Sequence, residues 1–533
     1  KIGNCFHGIY IIFINHLEKD IRKIYILLWV CIIKTVKTMA IKIYNTFTRK
    51  KEDFKPVKKN KVKMYVCGMT VYSDAHIGHA RTYFAFDMIR RYLEYKGYEV
   101  NYIQNITDVD DKIINAANKE GVDPLEYSKK FADRCLKDLD KLGIRRADTY
   151  PKASETIPEM IEMTEKIIEN GYGYESGGDV YFSVEKFPSY GKLSGQKLED
   201  LMVGTRFDPS DKKKNPYDFA LWKSVKPGEP SWDSPWGKGR PGWHIECSSM
   251  SSKYLGLPFD IHGGGMDLRF PHHENEIAQA EAATGKKFAN YWMHIGLLTV
   301  EGEKMSKSIG NIINIKDLLK EWDAEVIRFF YAQAHYRSPP DFSKKGLENA
   351  KKGLLKIHRL KEKLEEYAED EKFEVEKLFN MEKQFFKDIE QLKSDFEHAM
   401  DDDFNSPQSV GVVFEFVNNA NKYFEKTKKP HNGLCKYALD TLAKIGNVLT
   451  LFQSEEESKI DDKVLDKLKE KAESYVENVD GKTIEEIMDM LLEAREKARS
   501  EKDWDKADSI RDDLKDLGFE IQDTDKGPVW RKI

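Results

Sequence analysis

The chain has 533 residues, with 86 Lys and Arg against 91 Asp and Glu, a formal net charge of −5, and 40% apolar, 12% aromatic and 33% charged residues. That composition excludes a disordered chain, a collagen and a disulfide-rich miniprotein, and at about 150 residues per domain the length suits three or four domains. The mild negative charge supplies no global field for nucleic acid, so such a partner needs a local basic patch.

Residues 1–39 differ from the rest: six Lys and Arg stand against two Asp and Glu. Their longest apolar run, Ile24 to Ile33, spans ten residues, half of the roughly 20 that a membrane helix needs. No small-residue cleavage site follows it, and one Arg with no Ser does not make a transit peptide. After Met39, the stretch Ala40 to Tyr44 reads as a first strand. The expectation is that Met39 is the natural start and that residues 1–38 are upstream sequence or a non-core extension.

Val62 to Cys67 is a short apolar, partly β-branched run and reads as a buried strand. Gly68 to Gly78 is a turn-rich loop. From His79 to Tyr95, apolar residues recur at helical spacing (Ala80, Tyr83, Phe84, Met88, Tyr92), and Gly97 ends the helix. Glu99 to Ile106 is a second strand, completing the β–loop–α–β unit that starts a parallel doubly wound sheet. Helices follow at Asp108 to Asn118, Leu125 to Leu142 and from Thr156 to Asn170. Residues 171–240, rich in Gly, Pro and Tyr, read as an irregular insertion with a hairpin near Asp179 to Val184. Sheet logic resumes with a strand at Phe259 to His262, a helix at Pro271 to Thr284, a strand at Tyr291 to Val300 and a helix at Trp322 to Tyr336. Residues 343–455 are helical in pattern. Leu354, Leu360, Leu364, Met381, Phe385, Ile389, Val413, Phe416 and Leu451 would fill a bundle core. Glu455 to Asp462 reads as a linker, and residues 482–533 as a last small unit ending in a short strand near Val529 and Trp530.

Three groups of residues carry chemistry. His76-Ile77-Gly78-His79 lies at a strand-to-helix junction, where unpaired N–H groups and a partial positive charge suit phosphate. Lys304-Met305-Ser306-Lys307-Ser308 follows a predicted strand, and two lysines on a loop can offset charge on a leaving pyrophosphate. Cys67, Cys247, His272 and Glu276 offer two thiolates, an imidazole and a carboxylate, a donor set for tetrahedral zinc. His272 and Glu276 are four apart and share a helix face. By spacing alone, the same four read better as two core cysteines and a helical His/Glu pair. Cysteines stand far apart, at 5, 31, 67, 135, 247 and 435, without a C-x-x-C pair, the usage of a reduced intracellular protein.

With both signatures intact and in this order, the sequence resembles the class I aminoacyl-tRNA synthetases, whose marks are HIGH and KMSKS. Within them it is most similar to the cysteinyl-tRNA synthetases, from about Ile41 to the C-terminus. The segments that carry the likeness are YVCGMTVY at 65–72, NITDVDD at 105–111, PGWHIECS at 241–248 and HGGGMDLRFPHHENE at 262–276.

The resemblance implies an α/β fold: a Rossmann-type doubly wound parallel-sheet catalytic domain (residues 40–340) with a connective insertion at about 150–240. A helical-bundle anticodon-binding domain (341–460) and a small mixed C-terminal domain (461–533) follow. It implies activation of L-cysteine by ATP to cysteinyl-adenylate and transfer to tRNA(Cys). One zinc ion per chain, on Cys67, Cys247, His272 and Glu276, would hold the substrate sulfur, and magnesium would accompany ATP. His76, His79, Lys304 and Lys307 are implied as catalytic, and with Gly78, Gly263 and Gly264 as ATP-binding. Thr107 and Trp243 would line the cysteine pocket, with Asp267 near the α-amino group. Lys351, Lys352, Lys356, His358, Arg359 and Lys361 form one basic stretch at the bundle's start, a solvated helix face first and a tRNA contact second, and Trp530 and Arg531 are candidates for contacting bases on position alone. A cytoplasmic monomer without membrane contact is expected. A ligase that joins cysteine to a small amine would have no use for the long part after Pro340.

Overall fold

The structure is a computed structural model and describes residues 40–196, 212–306, 309–453, 462–476, 479, 484–524 and 527–532. Residues 1–39, Lys307, Ser308 and most of the expected linker lie outside the described residues. The described chain forms two compact units, divided after Phe452.

The first unit opens with a hairpin of β1 (Lys42–Asn45) and β2 (Lys50–Asp53). Then come β3 (Lys61–Val66), α1 (Ile77–Tyr95), β4 (Glu99–Gln104), α2 (Asp111–Glu120), α3 (Pro124–Lys141) and α4 (Ile157–Glu169). The insertion contributes β5 (Gly173–Ser176), β6 (Asp179–Phe182), β7 (Phe219–Ser224) and β8 (Gly239–Pro241). After it the chain runs through α5 (Trp243–Leu255), β9 (Phe259–Gly265), α6 (His272–Thr284) and β10 (Ala289–Ile295). The central sheet has the order β10-β9-β3-β4, with every pair parallel. Strand order reverses between β3 and β9, the position at which open α/β sheets bind ligands beyond their carboxyl ends.

Both sheet faces are covered, as a parallel sheet requires. Along β3, alternate side chains enter different cores: Val62, Met64 and Val66 pack with α1, and Tyr65 and Cys67 pack with the α4–α6 layer. Helix α1 starts two residues before the position predicted from its apolar stripe, because the His76 ring caps it. It is buried almost all round, Arg81 included. The Arg81 guanidinium donates to the carbonyls of Tyr331 (2.8 Å), Ala334 (3.0 Å) and His335 (2.8 Å).

The insertion is more regular than expected: its four strands form one antiparallel sheet in the order β5-β6-β7-β8. The sheet pairs Val180 with Trp222 and Phe182 with Phe219 across a long stretch of sequence, and no local window shows such pairing. The strand expected at Tyr291 to Val300 is also divided. At Gly296 the chain leaves the sheet and the Gly296 N–H donates to Tyr336 O (2.8 Å), an approach that any Cβ would block by coming within 2.6 Å of Ser338. The short strands β11 (Thr299–Val300) and β12 (Glu303–Lys304) follow, then α7 (Ile315–Leu318), α8 (Ala324–Ala332) and β13 (Asp341–Phe342), which pairs with β11.

Four long helices complete this unit: α9 (Lys344–Tyr367), α10 (Asn380–Asp401), α11 (Ser406–Lys426) and α12 (Asn432–Val448). They share a continuous core with the α1 side of the sheet. Tyr92 donates to Asp401 (2.7 Å), Lys96 pairs with the same carboxylate (3.0 Å), and Arg91 donates to Asn447 (2.9 Å). The residues predicted for the bundle core are buried except Met381, which lies in the exposed first turn of α10 at 39% exposure.

The second unit has α13 (Asp462–Ala472), α14 (Ile484–Ser500), α15 (Trp504–Asp516) and a hairpin of β14 (Phe519–Thr524) and β15 (Gly527–Lys532), where a single short strand was expected. Trp530 sits edge-on to Phe519 (5.6 Å) against this unit's own core.

Phe385 is fully buried and stacks on Tyr423 at 4.2 Å. Phe385→Ala should therefore cost about 3–5 kcal/mol, and Met381→Ala less than about 0.5 kcal/mol, as read by denaturant unfolding.

Candidate active site and metal centre

A cleft of about 370 Å³ opens at the carboxyl ends of the sheet, with Cys67, His76, His79, Trp243, Asp267 and Lys304 on its walls. The two signature segments meet there. His76 is the N-cap of α1, and its Nδ1 accepts the Gly78 N–H (3.2 Å). The His79 Nδ1 accepts the His76 N–H (3.3 Å), and the rings stack 3.7 Å apart. An imidazole that accepts at Nδ1 carries its proton on Nε2. Both rings therefore turn an Nε2–H donor away from their own backbone. Burial, with His76 adding, holds His79 well below the usual histidine range, so it stays neutral.

Gly78 is where the two motifs touch: a Cβ there would come within 2.9 Å of Met305 Cε and 3.1 Å of the His76 ring. The chain beyond the lysine loop pairs back onto this corner through Ile77 N–H to Ile313 O and Ile315 N–H to Ala75 O, both 3.0 Å. Asn311 closes the loop by accepting the Ser306 N–H (2.8 Å) and donating to Lys304 O (3.2 Å).

On the other wall the predicted metal ligands converge. Cys67 follows β3, Cys247 lies in the second turn of α5, and His272 and Glu276 share one face of α6. All four are buried, and their ligand atoms lie within 4.8 Å of one another. Glu276 Oε1 is 3.4 Å from Cys67 Sγ and 3.1 Å from His272 Nε2, and the two sulfurs are 3.6 Å apart. Burial pushes the Cys67 thiol well up, with Cys247 and Glu276 adding to it, and burial holds His272 well down. A divalent cation would offset both, and two sulfurs, one nitrogen and one oxygen suit a borderline-soft ion such as zinc.

Cys67 and Glu276 also converge with His262 and His273. His262 Nε2, however, is engaged with the second carboxylate oxygen, Glu276 Oε2, at 2.7 Å. Cys67 and Trp243 line the cleft, and the Trp243 ring lies 4.4 Å from that of His272. The set with Cys247 and His272 is thus the one packed against Trp243, a residue that lines the cleft with Cys67.

Sequence reasoning missed the layer behind these ligands. His244 Nδ1 meets His272 Nδ1 at 2.9 Å, and burial pushes His244 down to about 3. His273 meets His294 at 2.8 Å, and His294 meets Thr46 at 2.9 Å. The signal was the crowding of histidines into 244–294, which spacing rules for metal ligands do not weigh.

Other predicted residues lie deeper. Thr107 is 2% exposed, behind the wall. Gly263 and Gly264 lie beneath the cleft, where a Cβ would meet Phe86 at 2.1 Å and His273 at 3.0 Å, and Gly265 is the glycine of this run that lines it. Gly263→Ala should therefore destabilise the fold by at least about 1–3 kcal/mol. Gly265→Ala meets only the movable Asp267 carboxylate and should leave thermal unfolding nearly unchanged.

Residues 53–352 match the family model of the class I (C) tRNA synthetase catalytic domain, 395–453 the DALR domain, and 483–531 the cysteinyl-tRNA ligase anticodon binding domain. The chain is 48% identical to the cysteine–tRNA ligase of Thermococcus gammatolerans, over 93% of this chain and 100% of that protein. It is 49% identical to that of Methanococcus maripaludis, over 92% and 99%. Among solved structures, a Mycobacterium tuberculosis methionyl-tRNA synthetase with methionyl-adenylate matches at a TM-score of 0.54 and 15% identity, over 73% of this chain and 89% of that one. A ternary leucyl complex from Agrobacterium radiobacter matches at 0.56 and 11%, over 74% and 85%. These two likenesses establish the fold alone.

Proposed function

This chain belongs to the cysteinyl branch of the class I aminoacyl-tRNA synthetases and joins cysteine to tRNA, and on that premise we propose how its residues divide the work. The observation that carries the reading is that the ligand atoms of Cys67, Cys247, His272 and Glu276 lie within 4.8 Å of one another beside a cleft that Cys67 lines together with His76, His79 and Lys304. These four would hold a zinc ion, one per chain. When bound, the ion would supply a soft Lewis-acid position for the substrate thiolate. His262 would hold Oε2 of Glu276 and leave Oε1 for the metal. His272, bound through Nε2, would donate its Nδ1–H to the neutral His244. Such outer contacts orient ligands and raise their basicity.

The substrate's carboxylate oxygen attacks the α-phosphorus of ATP, the bond to pyrophosphate breaks, and cysteinyl-adenylate forms. A ribose hydroxyl at the tRNA 3′ end then attacks the carbonyl carbon and AMP leaves. No enzyme nucleophile is needed, so catalysis is positioning plus charge stabilisation. The Nε2–H groups of His76 and His79 would donate to phosphate oxygens, Lys304 and Lys307 would offset the charge on pyrophosphate, and magnesium would travel with ATP. Gly78 would keep that floor flat. Gly263 and Gly264 would serve from below, letting Phe86 and His273 pack so that Gly265 surfaces. Trp243 and Asp267 would hold the amino acid from the wall, with Thr107 behind them.

The bundle and the second unit would take the tRNA beyond its acceptor end. Of the basic stretch on α9, Lys352, Lys356 and Arg359 are exposed at helical spacing, Lys351 and His358 are half-buried, and His358 and Lys361 also meet Glu325 (2.9 Å) and Glu365 (2.6 Å). The exposed three suit RNA phosphates. Among the described residues no helix is long and apolar enough to cross a membrane. The free, buried Cys67, Cys135, Cys247 and Cys435 fit a reducing compartment such as the cytoplasm.

ATP–pyrophosphate exchange should proceed with cysteine alone among the twenty amino acids and fall to background after zinc is chelated. Exchange that survives complete zinc removal would overturn the metal's role. Lys304→Ala should lower exchange by about 10²–10³-fold with zinc content unchanged by elemental analysis, and parallel loss of both would indicate misfolding instead.

A further inference from the structure

The two thiolate ligands arrive from unrelated elements, one after β3 and one on α5. Besides the metal they would hold, one buried amide touches both segments. Asn105, 1% exposed, directly follows β4. Its Oδ1 accepts the Gly68 N–H at 2.7 Å, one residue after Cys67. The same oxygen lies 3.6 Å from Cys247 Sγ. Its Nδ2 donates to Thr107 Oγ1 at 3.2 Å.

The place of this contact in the sheet explains why a side chain is needed. The β3–β4 ladder ends at Val66 opposite Gln104, and the Cys67 N–H has already turned to Gly263 O (3.0 Å). The Gly68 N–H is therefore left at the opening of the strands, where Asn105 meets it. The approach is so close that a Cβ on Gly68 would lie 1.6 Å from the Asn105 carbonyl oxygen. With Oδ1 committed to Gly68, the amide orientation is settled, and Nδ2 must point at Thr107.

We propose that Asn105 is a positioning residue of the metal centre: its amide sets the spacing between the Cys67 turn and Cys247, and ties that spacing to Thr107. The inference rests on the zinc reading above. Asn105 does not ligate. A metal-bound Cys247 thiolate has no proton to give Oδ1, so the amide acts as a fixed wall that limits how closely that sulfur approaches the Cys67 turn, which preserves a narrow ligand geometry.

The test compares full-length wild type, Asn105→Ala and Asn105→Asp. Zinc affinity is measured by competition with a chromophoric chelator, ligand geometry by the absorption spectrum of the cobalt-substituted protein, and folding by thermal unfolding at saturating zinc. Asn105→Ala should weaken zinc binding by about 10–100-fold and alter the cobalt spectrum, with the KM for ATP unchanged. Asn105→Asp keeps an acceptor for Gly68 and should stay several-fold nearer to wild type. If Asn105→Ala does not fold, Asn105→Ser, too short to reach Gly68 and Thr107 together, takes its place. A truncated variant with wild-type zinc affinity and spectrum, or an aspartate variant as weak as the truncated one, would overturn the role of Asn105. Wild type without a stoichiometric zinc site would instead overturn the zinc reading.

Discussion

The two-residue alternation of β3 is the constraint on which this site depends. A strand sends successive side chains to opposite faces. Met64 and Val66 therefore anchor the sheet to α1, and Tyr65 and Cys67 enter the layer built by α4–α6. One short strand thus registers the first turn of α1 against the helices that carry Cys247, His272 and Glu276. A one-residue slip would send Cys67 to the α1 side and leave the other three ligands without it.

Helix α1 is the second link. Its first turn presents His76, Gly78 and His79 to the cleft, and its last turns are bound to the bundle through Tyr92, Lys96 and Arg91. Burying so polar a helix is tolerable because its charged groups are matched. Arg81 meets three carbonyls at the end of α8, and Arg91 pairs with the buried Asp87 at 2.9 Å. A buried guanidinium left without such partners would cost several kcal/mol. The first turn of α1 and the bundle are therefore parts of one packed body.

A metal on the amino-acid wall would also bear on selection. A purely apolar pocket separates near-isosteres by only about 1–3 kcal/mol. Serine offers a harder, far less acidic hydroxyl in place of the thiol, and alanine offers no ligand atom. Discrimination by coordination then depends on how firmly the ligands are held, and here the supports are dense. His262 and His244 engage Glu276 and His272, and Asn105 reaches the turn after Cys67 and the sulfur of Cys247.

What the sequence by itself determined was local chemistry and local period. The helix start beside His76–His79, the parallel-sheet strands and the bundle core apart from Met381 were legible, because each is a short motif or a repeat of 2 or 3.6 residues. The tertiary structure decided what distant segments do together. It paired β6 with β7 into an ordered insertion, drew Gly296 out of its strand toward Tyr336, and left Met381 in solvent. It also put Gly263 and Gly264 under the cleft and assembled His244, His262, His273, His294 and Asn105 around the ligands. Periodicity shows that a side chain leaves one face of its own element, but which other element waits there depends on how the sheet and helices stack, and that is settled only when residues as far apart as Cys67 and Cys247 are brought to 3.6 Å.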